Sequence, residues 1–433
     1  MIALSKKIIQ IHYFGNKCLV KTEDGLIPLN EYCSFIIKSI YDLPREIDGI
    51  TSLFIEKFKV CASFEDVRTL IHHYIYSFEH SKQLFCEYDG FCEDFLSTPL
   101  ISGDSDRYVP YLFNIELTNT CNLNCLHCYK EANCSNPIYI DLHKLEELFL
   151  FLNSKNLSIT LTGGEPTTHK SFEKIVDLCS KFGNVDVVTN GLLLKSISST
   201  TLKKLNLISV SLYGIDDLTY EVNTGIKNGF YSLSKATEYL RSIGKSFILS
   251  IVLDKEKIEN LEEYIDVAIR LGANSFQIGL PFRSGKLIEE SNDNEKWILT
   301  KEEKRIAYRK IRELKKNNNK IQILDWERDV YEKKHSFDDP NNPSNFYITH
   351  CMKCGAGTTQ WSISEDFNFR PCNILSGELA GKISFESFKD YVDGKNIIDW
   401  IKYMNKYREI YSKKYGLELS DCCERLTDFI DEK

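Results

Sequence analysis

The chain has no surplus of positive charge and no long apolar run. Across 433 residues, 54 Lys and Arg face 62 Asp and Glu, a formal charge of −8. That balance provides no field for gripping phosphate backbones, which argues against a nucleic-acid partner. No apolar stretch approaches the roughly 18 residues that cross a bilayer, so no membrane association is expected. The opening MIALSKKIIQIHYF lacks an apolar signal core followed by a small-residue cleavage site, and a cytoplasmic protein is the expectation. Core-forming residues are not scarce: 42% hydrophobic and 12% aromatic content exclude a disordered chain. At roughly 150 residues per domain, the length suggests about three domains.

What is abundant is cysteine. There are 15, an odd number, and without an export signal disulfides are not their natural use. Cys121, Cys125 and Cys128 form one tight group. Cys351, Cys354 and Cys372 form a second, Cys422 and Cys423 are adjacent, and none lies between Cys179 and Cys351. Clusters of this kind in a reducing compartment point to metal or iron–sulfur ligation. The isolated Cys18, Cys33, Cys61, Cys86, Cys92 and Cys179 read as small buried hydrophobes.

Three regions follow from the patterning. In residues 1–105, alternating runs IIQIHYF and KCLVKT flank Gly15-Asn16 and predict a β-hairpin. A helix is predicted from Ser63, with Asp66 three residues on as a cap and a stripe of Val67, Leu70, Ile71, Tyr74, Ile75 and Phe78. Ser102-Gly103-Asp104-Ser105-Asp106 reads as a polar linker. Residues 106–340 alternate strand and helix, with strands predicted at 112–117, 157–161, 185–188, 208–212, 247–253, 276–280 and 321–324. Helices are predicted at 143–152, 171–182, 232–243 and 261–271. Repeated βα units imply a parallel sheet with right-handed crossovers. The α/β fold expected is an open, partial TIM barrel of the (β/α)6 type, with its site at the C-terminal strand ends. Residues 341–433 are irregular and core-poor, and a domain of that kind calls for a metal staple.

The informative motif is Cys121-Asn122-Leu123-Asn124-Cys125-Leu126-His127-Cys128, directly after the first barrel strand. Three thiolates can hold three irons of a [4Fe–4S] cube and leave the fourth open for chemistry. Zinc prefers four ligands, and this spacing has no close fourth, although Cys134 could serve. With Thr162-Gly163-Gly164-Glu165-Pro166, Val188-Thr189-Asn190-Gly191 and Ser209-Val210-Ser211 in that order, the sequence resembles the radical S-adenosylmethionine (SAM) superfamily. The resemblance implies that the open iron binds S-adenosylmethionine and that reductive cleavage yields a 5′-deoxyadenosyl radical. It further implies that Gly163, Gly164 and Glu165 meet the methionine amino group. Asn190 and Ser211 would contact ribose or carboxylate, and His127 would lie against adenine.

Cys354-Gly355-Ala356-Gly357 and Arg370-Pro371-Cys372 resemble the auxiliary-cluster domain of peptide-modifying radical enzymes, the SPASM/twitch type. The family glycine five residues before the second cysteine is Phe367 here, with Asn368 as a candidate for the turn. The later run of closely spaced cysteines is missing, which implies one auxiliary [4Fe–4S] cluster. Cys354, Cys372, Cys422 and Cys423 would hold it, with Cys351 in reserve; a zinc site on the same four thiolates is the alternative. With Ile323-Leu324-Asp325-Trp326-Glu327, the likeness extends to sactipeptide maturases, among them those of sporulation killing factor and subtilosin A.

Residues 1–105 resemble the winged-helix-like precursor-recognition domain fused to such maturases, where a leader peptide adds as a strand. Residues 1–100 carry 10 Lys and Arg against 14 Asp and Glu, so charge does not collect an acidic leader. The expected function is radical modification of a precursor peptide bearing an N-terminal leader, joining a Cys sulfur to a carbon as a thioether. An electron donor of the flavodoxin or ferredoxin type is implied. The alternatives are another radical outcome (carbon–carbon crosslink, decarboxylation, epimerisation) or a non-catalytic, metal-stapled peptide-binding scaffold.

Overall fold

The fold is that of a computed structural model, which describes residues 1–395 apart from 24, 79, 91–99, 131, 133–135, 282–284, 288–293, 326–355 and 374–381. The chain opens with β1 (Ile2–Leu4), β2 (Ile8–Phe14), β3 (Lys17–Thr22) and β4 (Gly25–Leu29). There follow α1 (Glu31–Ile40), α2 (Ile47–Phe58), α3 (Phe64–Tyr76), β5 (Phe85–Glu87) and β6 (Leu100–Asp104). The expected hairpin is present as β2 and β3, and Ser63 caps α3 by accepting from the Asp66 amide at 3.1 Å. Ile11, Val20, Ile36, Phe54, Ile71 and Tyr74 belong to a core of this region's own.

The predicted linker at 102–106 is in part a strand. β6 pairs parallel with β2, giving the sheet order β4-β3-β2-β6. Gly103 makes this possible: at φ +72 it sits where a Cβ would lie 1.9 Å from the Tyr13 carbonyl oxygen. The polar composition that suggested a linker serves a buried network instead. His12 Nε2 lies 2.8 Å from the Val109 carbonyl, which can only accept, so Nε2 carries the proton and Nδ1 accepts from the Ser102 hydroxyl at 2.9 Å. Gln10 Nε2 donates to Ser102 Oγ at 2.6 Å and to the Asn156 carbonyl at 2.8 Å.

The second sheet holds the barrel. Its strands are β7 (Leu112–Glu116), β8 (Leu157–Thr162), β9 (Gly183–Thr189), β10 (Leu207–Ser211), β11 (Ile248–Val252), β12 (Ser275–Gly279) and β13 (Gln322–Asp325). All seven are parallel neighbours in sequence order, as the βα alternation predicts. In β8, Leu157, Ile159 and Leu161 are buried in the barrel's hydrophobic core. The alternate positions are polar, and register sets Glu116 beside Thr162 and Ser211 beside Ser250. The wall is apolar on the helix side and polar on the other.

The C-terminal region departs from expectation. β14 (Gln360–Ile363) pairs parallel with β7 and β15 (Phe369–Arg370) pairs antiparallel with β14, so residues 356–373 extend the barrel sheet. Trp361, Phe369 and Phe388 join the barrel core, with Phe369 stacked on Phe388 at 4.1 Å. A four-residue strand and scattered aromatics have no period to read, so this stretch looked core-poor. Phe367 itself, not Asn368, takes the left-handed turn conformation at φ +62, and its ring packs edge-on against Phe369 and Phe385. Among the described residues no helix is long and apolar enough to cross a membrane.

The His12 network generates a pH prediction. Burial pulls the His12 pKa down from 6.5 to about 4, so the folded chain holds it neutral while the unfolded chain protonates it. Its contribution is therefore complete above the unfolded value and declines as pH falls toward the folded one. About 2 kcal/mol of His12-dependent stability should be lost by pH 5. Denaturant titrations at pH 7 and pH 5 should show a smaller drop for His12→Gln than for the wild type; equal drops would count against the assignment.

Candidate active site

The cysteine loop leaves the end of β7 and is held from three sides. On one side, the Gly163-Gly164 turn at the end of β8 packs directly against residues 118–120. A Cβ at Gly163 would lie 2.6 Å from the Thr118 carbonyl oxygen and one at Gly164 would lie 2.0 Å from that of Thr120. The Gly164 amide donates to Thr118 at 2.7 Å and the Glu165 amide to Thr120 at 2.8 Å. On a second side, the amides of Asn124 and Leu126 donate to the carbonyls of Thr224 and Asn223. On a third, Lys286 donates from its amide to Cys128 at 3.0 Å and from Nζ to the Cys125 carbonyl at 3.0 Å. Gly285 beside it has no room for a Cβ against the Cys128 carbonyl oxygen, 2.4 Å away. Sequence reading missed this third clamp; a lone Gly-Lys pair far along the chain carries no signal of it.

Glu165 is buried and fully engaged. One oxygen accepts from the Thr167 hydroxyl at 2.5 Å, the Thr167 amide at 3.1 Å and the Thr189 hydroxyl at 2.6 Å; the other accepts from the Asn190 amide at 2.7 Å. Burial pushes its pKa up and these donors oppose that push. Asn190, fixed through its amide, reaches the cysteine loop with Nδ2, 2.7 Å from Asn122 Oδ1 and 3.9 Å from Cys121 Sγ. Tyr213 lies between Ser211 and Cys125, and each of the two influences or is influenced by its hydroxyl. Glu165 and Asn190 thus sit beside the cysteine loop, and the contacts they make there support the loop.

The three thiols are close enough to perturb one another. Burial pushes the Cys121 thiol up to about 11, and burial followed by the charges of Cys128 and Cys121 raises Cys125 further. Thiols in this state stay protonated until a metal takes the place of the protons. Among the described residues no three His, Cys, Asp or Glu side chains converge in single-ion geometry. Ligands to a four-iron cube are spread around its corners, so this donor set fits a [4Fe–4S] cluster better than one zinc. His127 stacks on Trp297 at 3.8 Å, and burial first, then Lys257, Lys286 and Lys296, holds it neutral. Its Nδ1 is buried without a partner.

Cys372 is buried beside this loop, with Asn373 Nδ2 3.5 Å from the Tyr129 hydroxyl. Cys351, Cys354, Cys422 and Cys423 lie outside the described residues. The glycine contacts yield a prediction: Gly164→Ala must push residues 118–120 away, costing about 2 kcal/mol or more. Iron bound per chain after reconstitution should fall by at least half while far-UV circular dichroism is retained. Undiminished iron binding would show that the close approach is dispensable.

Comparison with known proteins agrees with this geometry. The family model described as the Radical SAM superfamily matches residues 115–268, a span that contains the cysteine loop, Gly163–Glu165, Asn190 and Ser211. The sporulation killing factor maturation protein SkfB of Bacillus subtilis (strain 168) is 27% identical over 307 residues, 70% of each chain. The antilisterial bacteriocin subtilosin biosynthesis protein AlbA of the same organism is 25% identical, over 66% of this chain and 60% of AlbA. In fold, the chain is similar to Streptococcus suis SuiB bound to its precursor peptide SuiA, with a TM-score of 0.58 at 15% identity, covering 90% of this chain and 88% of that one. Residues 115–268 are a radical SAM domain.

Proposed function

We propose that the chain modifies a ribosomally made precursor peptide, joining a Cys sulfur of that peptide to a carbon of an acceptor residue as a thioether. The observation that carries this reading is one chain holding both a radical SAM thiol loop and a separate N-terminal sheet with an edge that is open among the described residues. In that sheet β6 is covered, since Ser154 and Asn156 of the barrel bond its backbone, while β4 has β3 as its one strand neighbour among the described residues. β4 carries an exposed Leu26 and a Pro28, the kind of edge to which an extended leader adds.

A [4Fe–4S] cluster with S-adenosylmethionine, when bound, supplies the 5′-deoxyadenosyl radical that takes hydrogen from the acceptor carbon. The chain's own residues do the rest. Cys121, Cys125 and Cys128 would hold three corners of the cube, and Glu165 fixes Asn190 against that loop. The polar inner wall, with Thr162, Ser211 and Gln277, offers donors and acceptors to a peptide main chain. Cys372 would contribute to one auxiliary [4Fe–4S] cluster, with its partners drawn from Cys351, Cys354, Cys422 and Cys423; as the carbon–sulfur bond forms, the thiol proton would leave to solvent and the surplus electron would pass to that cluster. The N-terminal sheet docks at the strand starts, beside residues 154–156, and the thiols lie at the strand ends. Leader and modified core would therefore lie at least the length of a six-residue strand apart, about 20 Å. This reading places the chain in the cytoplasm, supplied with electrons by a flavodoxin or ferredoxin.

The test uses reduced, reconstituted protein with S-adenosylmethionine and a Cys-containing precursor. 5′-Deoxyadenosine should form, and the peptide should lose a pair of hydrogens per crosslink by mass spectrometry. Cys125→Ala should abolish 5′-deoxyadenosine formation. Full formation in that variant would overturn the assignment of the cluster loop. For the recognition sheet, Leu26→Asp should weaken precursor binding at least tenfold with an unaltered melting temperature, and an unchanged affinity would remove β4 from the leader site.

A further inference from the structure

A group of four charged side chains at the junction of β7, the cysteine loop and β15 has no part in the chemistry described so far. Lys130 Nζ lies 2.5 Å from Glu116 Oε2 and 2.5 Å from Glu365 Oε2. Arg370 donates to the same Glu116 oxygen. All four are sequestered, with side-chain exposures of 0% for Glu116, 10% for Lys130, 14% for Glu365 and 7% for Arg370. Two carboxylates against two cations leave no net charge, so the group is compensated only when complete. Both cations load one oxygen of Glu116, while its Oε1 is buried without a partner. The orientation of this carboxylate is thus set by its cations.

The positions in the chain give the group its meaning. Lys130 stands two residues after Cys128 and Arg370 two residues before Cys372, while Lys130 and Glu365 are 235 residues apart. Nearby, Asn373 reaches Tyr129, a second tie between the same two segments. Apolar side chains of similar volume would hold two packed strands at no desolvation cost, whereas a buried ionic group dictates one arrangement. We propose that Glu116, Lys130, Arg370 and Glu365 form a positioning clamp that fixes the Cys128 loop and the Cys372 strand at one separation and sets the charge felt at the thiolates between them. The functional meaning of the clamp rests on reading Cys128 and Cys372 as cluster ligands, but its existence is tested without substrate.

Hydrogen exchange of the full, reconstituted chain reads it directly. In Glu116→Gln, amides of both residues 122–130 and residues 366–373 should exchange at least tenfold faster, while the barrel helix Leu142–Leu152 is unaffected. Lys130→Met should speed the distant 366–373 segment as well as its own. If Glu116→Gln leaves either segment unchanged, or Lys130→Met loosens only its own, the clamp is overturned. If Glu116→Gln loosens the whole chain, Lys130→Met, which keeps the Glu116–Arg370 pair, decides the question. The second readout is the midpoint potential of the cluster on Cys121, Cys125 and Cys128. It should rise in Glu116→Gln, which removes a negative charge, and fall in Lys130→Met, which removes a positive one. Shifts of the same sign would refute the electrostatic role. Both readouts stand whether or not the chain crosslinks a peptide, so a failure here is separable from a failure of the proposed function.

Discussion

Glu165 is a buried carboxylate with no ion-pair partner among the described residues, and four hydrogen bonds keep it there. They come from Thr167 (hydroxyl and amide), the Thr189 hydroxyl and the Asn190 amide. Two of those donors are on the next strand's end, so satisfying one carboxylate ties the ends of β8 and β9 together. The two glycines just before it then let the turn lie against residues 118–120 at backbone contact. Without that approach the cysteine loop would have no floor. Burying a carboxylate is costly unless every lone pair is used, which makes the arrangement nearly all-or-none.

The rest of the mouth is built outward from this floor. Asn190 converts the fixed position of its own amide into a side-chain contact with Asn122 and Cys121. The 223–224 carbonyls and Lys286 hold the loop's backbone, so three thiols are presented in one place before any metal arrives. Burial keeps the Cys121 and Cys125 thiols protonated, and cluster assembly must release those protons. A rigid loop and reluctant thiols are compatible because the energy of metal–sulfur bonding, not the loop, drives the deprotonation.

Two appendages meet the barrel at different places. The N-terminal sheet is fastened at the strand starts through His12 and Gln10, buried polar groups of β2 that bond the Val109 and Asn156 carbonyls and share Ser102 of β6. The C-terminal segment is fastened along β7 by main-chain pairing and by an aromatic stack on Phe388. Its four-residue strand would be marginal alone; in register with β7 it becomes the eighth parallel member of the sheet.

The sequence by itself determined the βα alternation, the cap at Ser63, the hairpin at Gly15-Asn16 and the order of Cys121–Cys128, Gly163–Glu165, Asn190 and Ser211. These are local: a period, a cap or a spacing is a statement about neighbours in the chain. What only the tertiary structure decided is non-local. Phe367 taking the turn conformation depends on rings at 369 and 385, and the strand at 360–363 exists because β7 offers an edge. Gly103 looked like a linker residue because the Tyr13 backbone against it lies ninety residues earlier. The clamp from Lys286 to Cys125, like the meeting of Lys130 with Glu365, joins residues more than a hundred positions apart. Hydrogen bonds and ion pairs of that reach leave no periodic trace in the chain, because each needs a single donor and a single acceptor that only the folded backbone brings together.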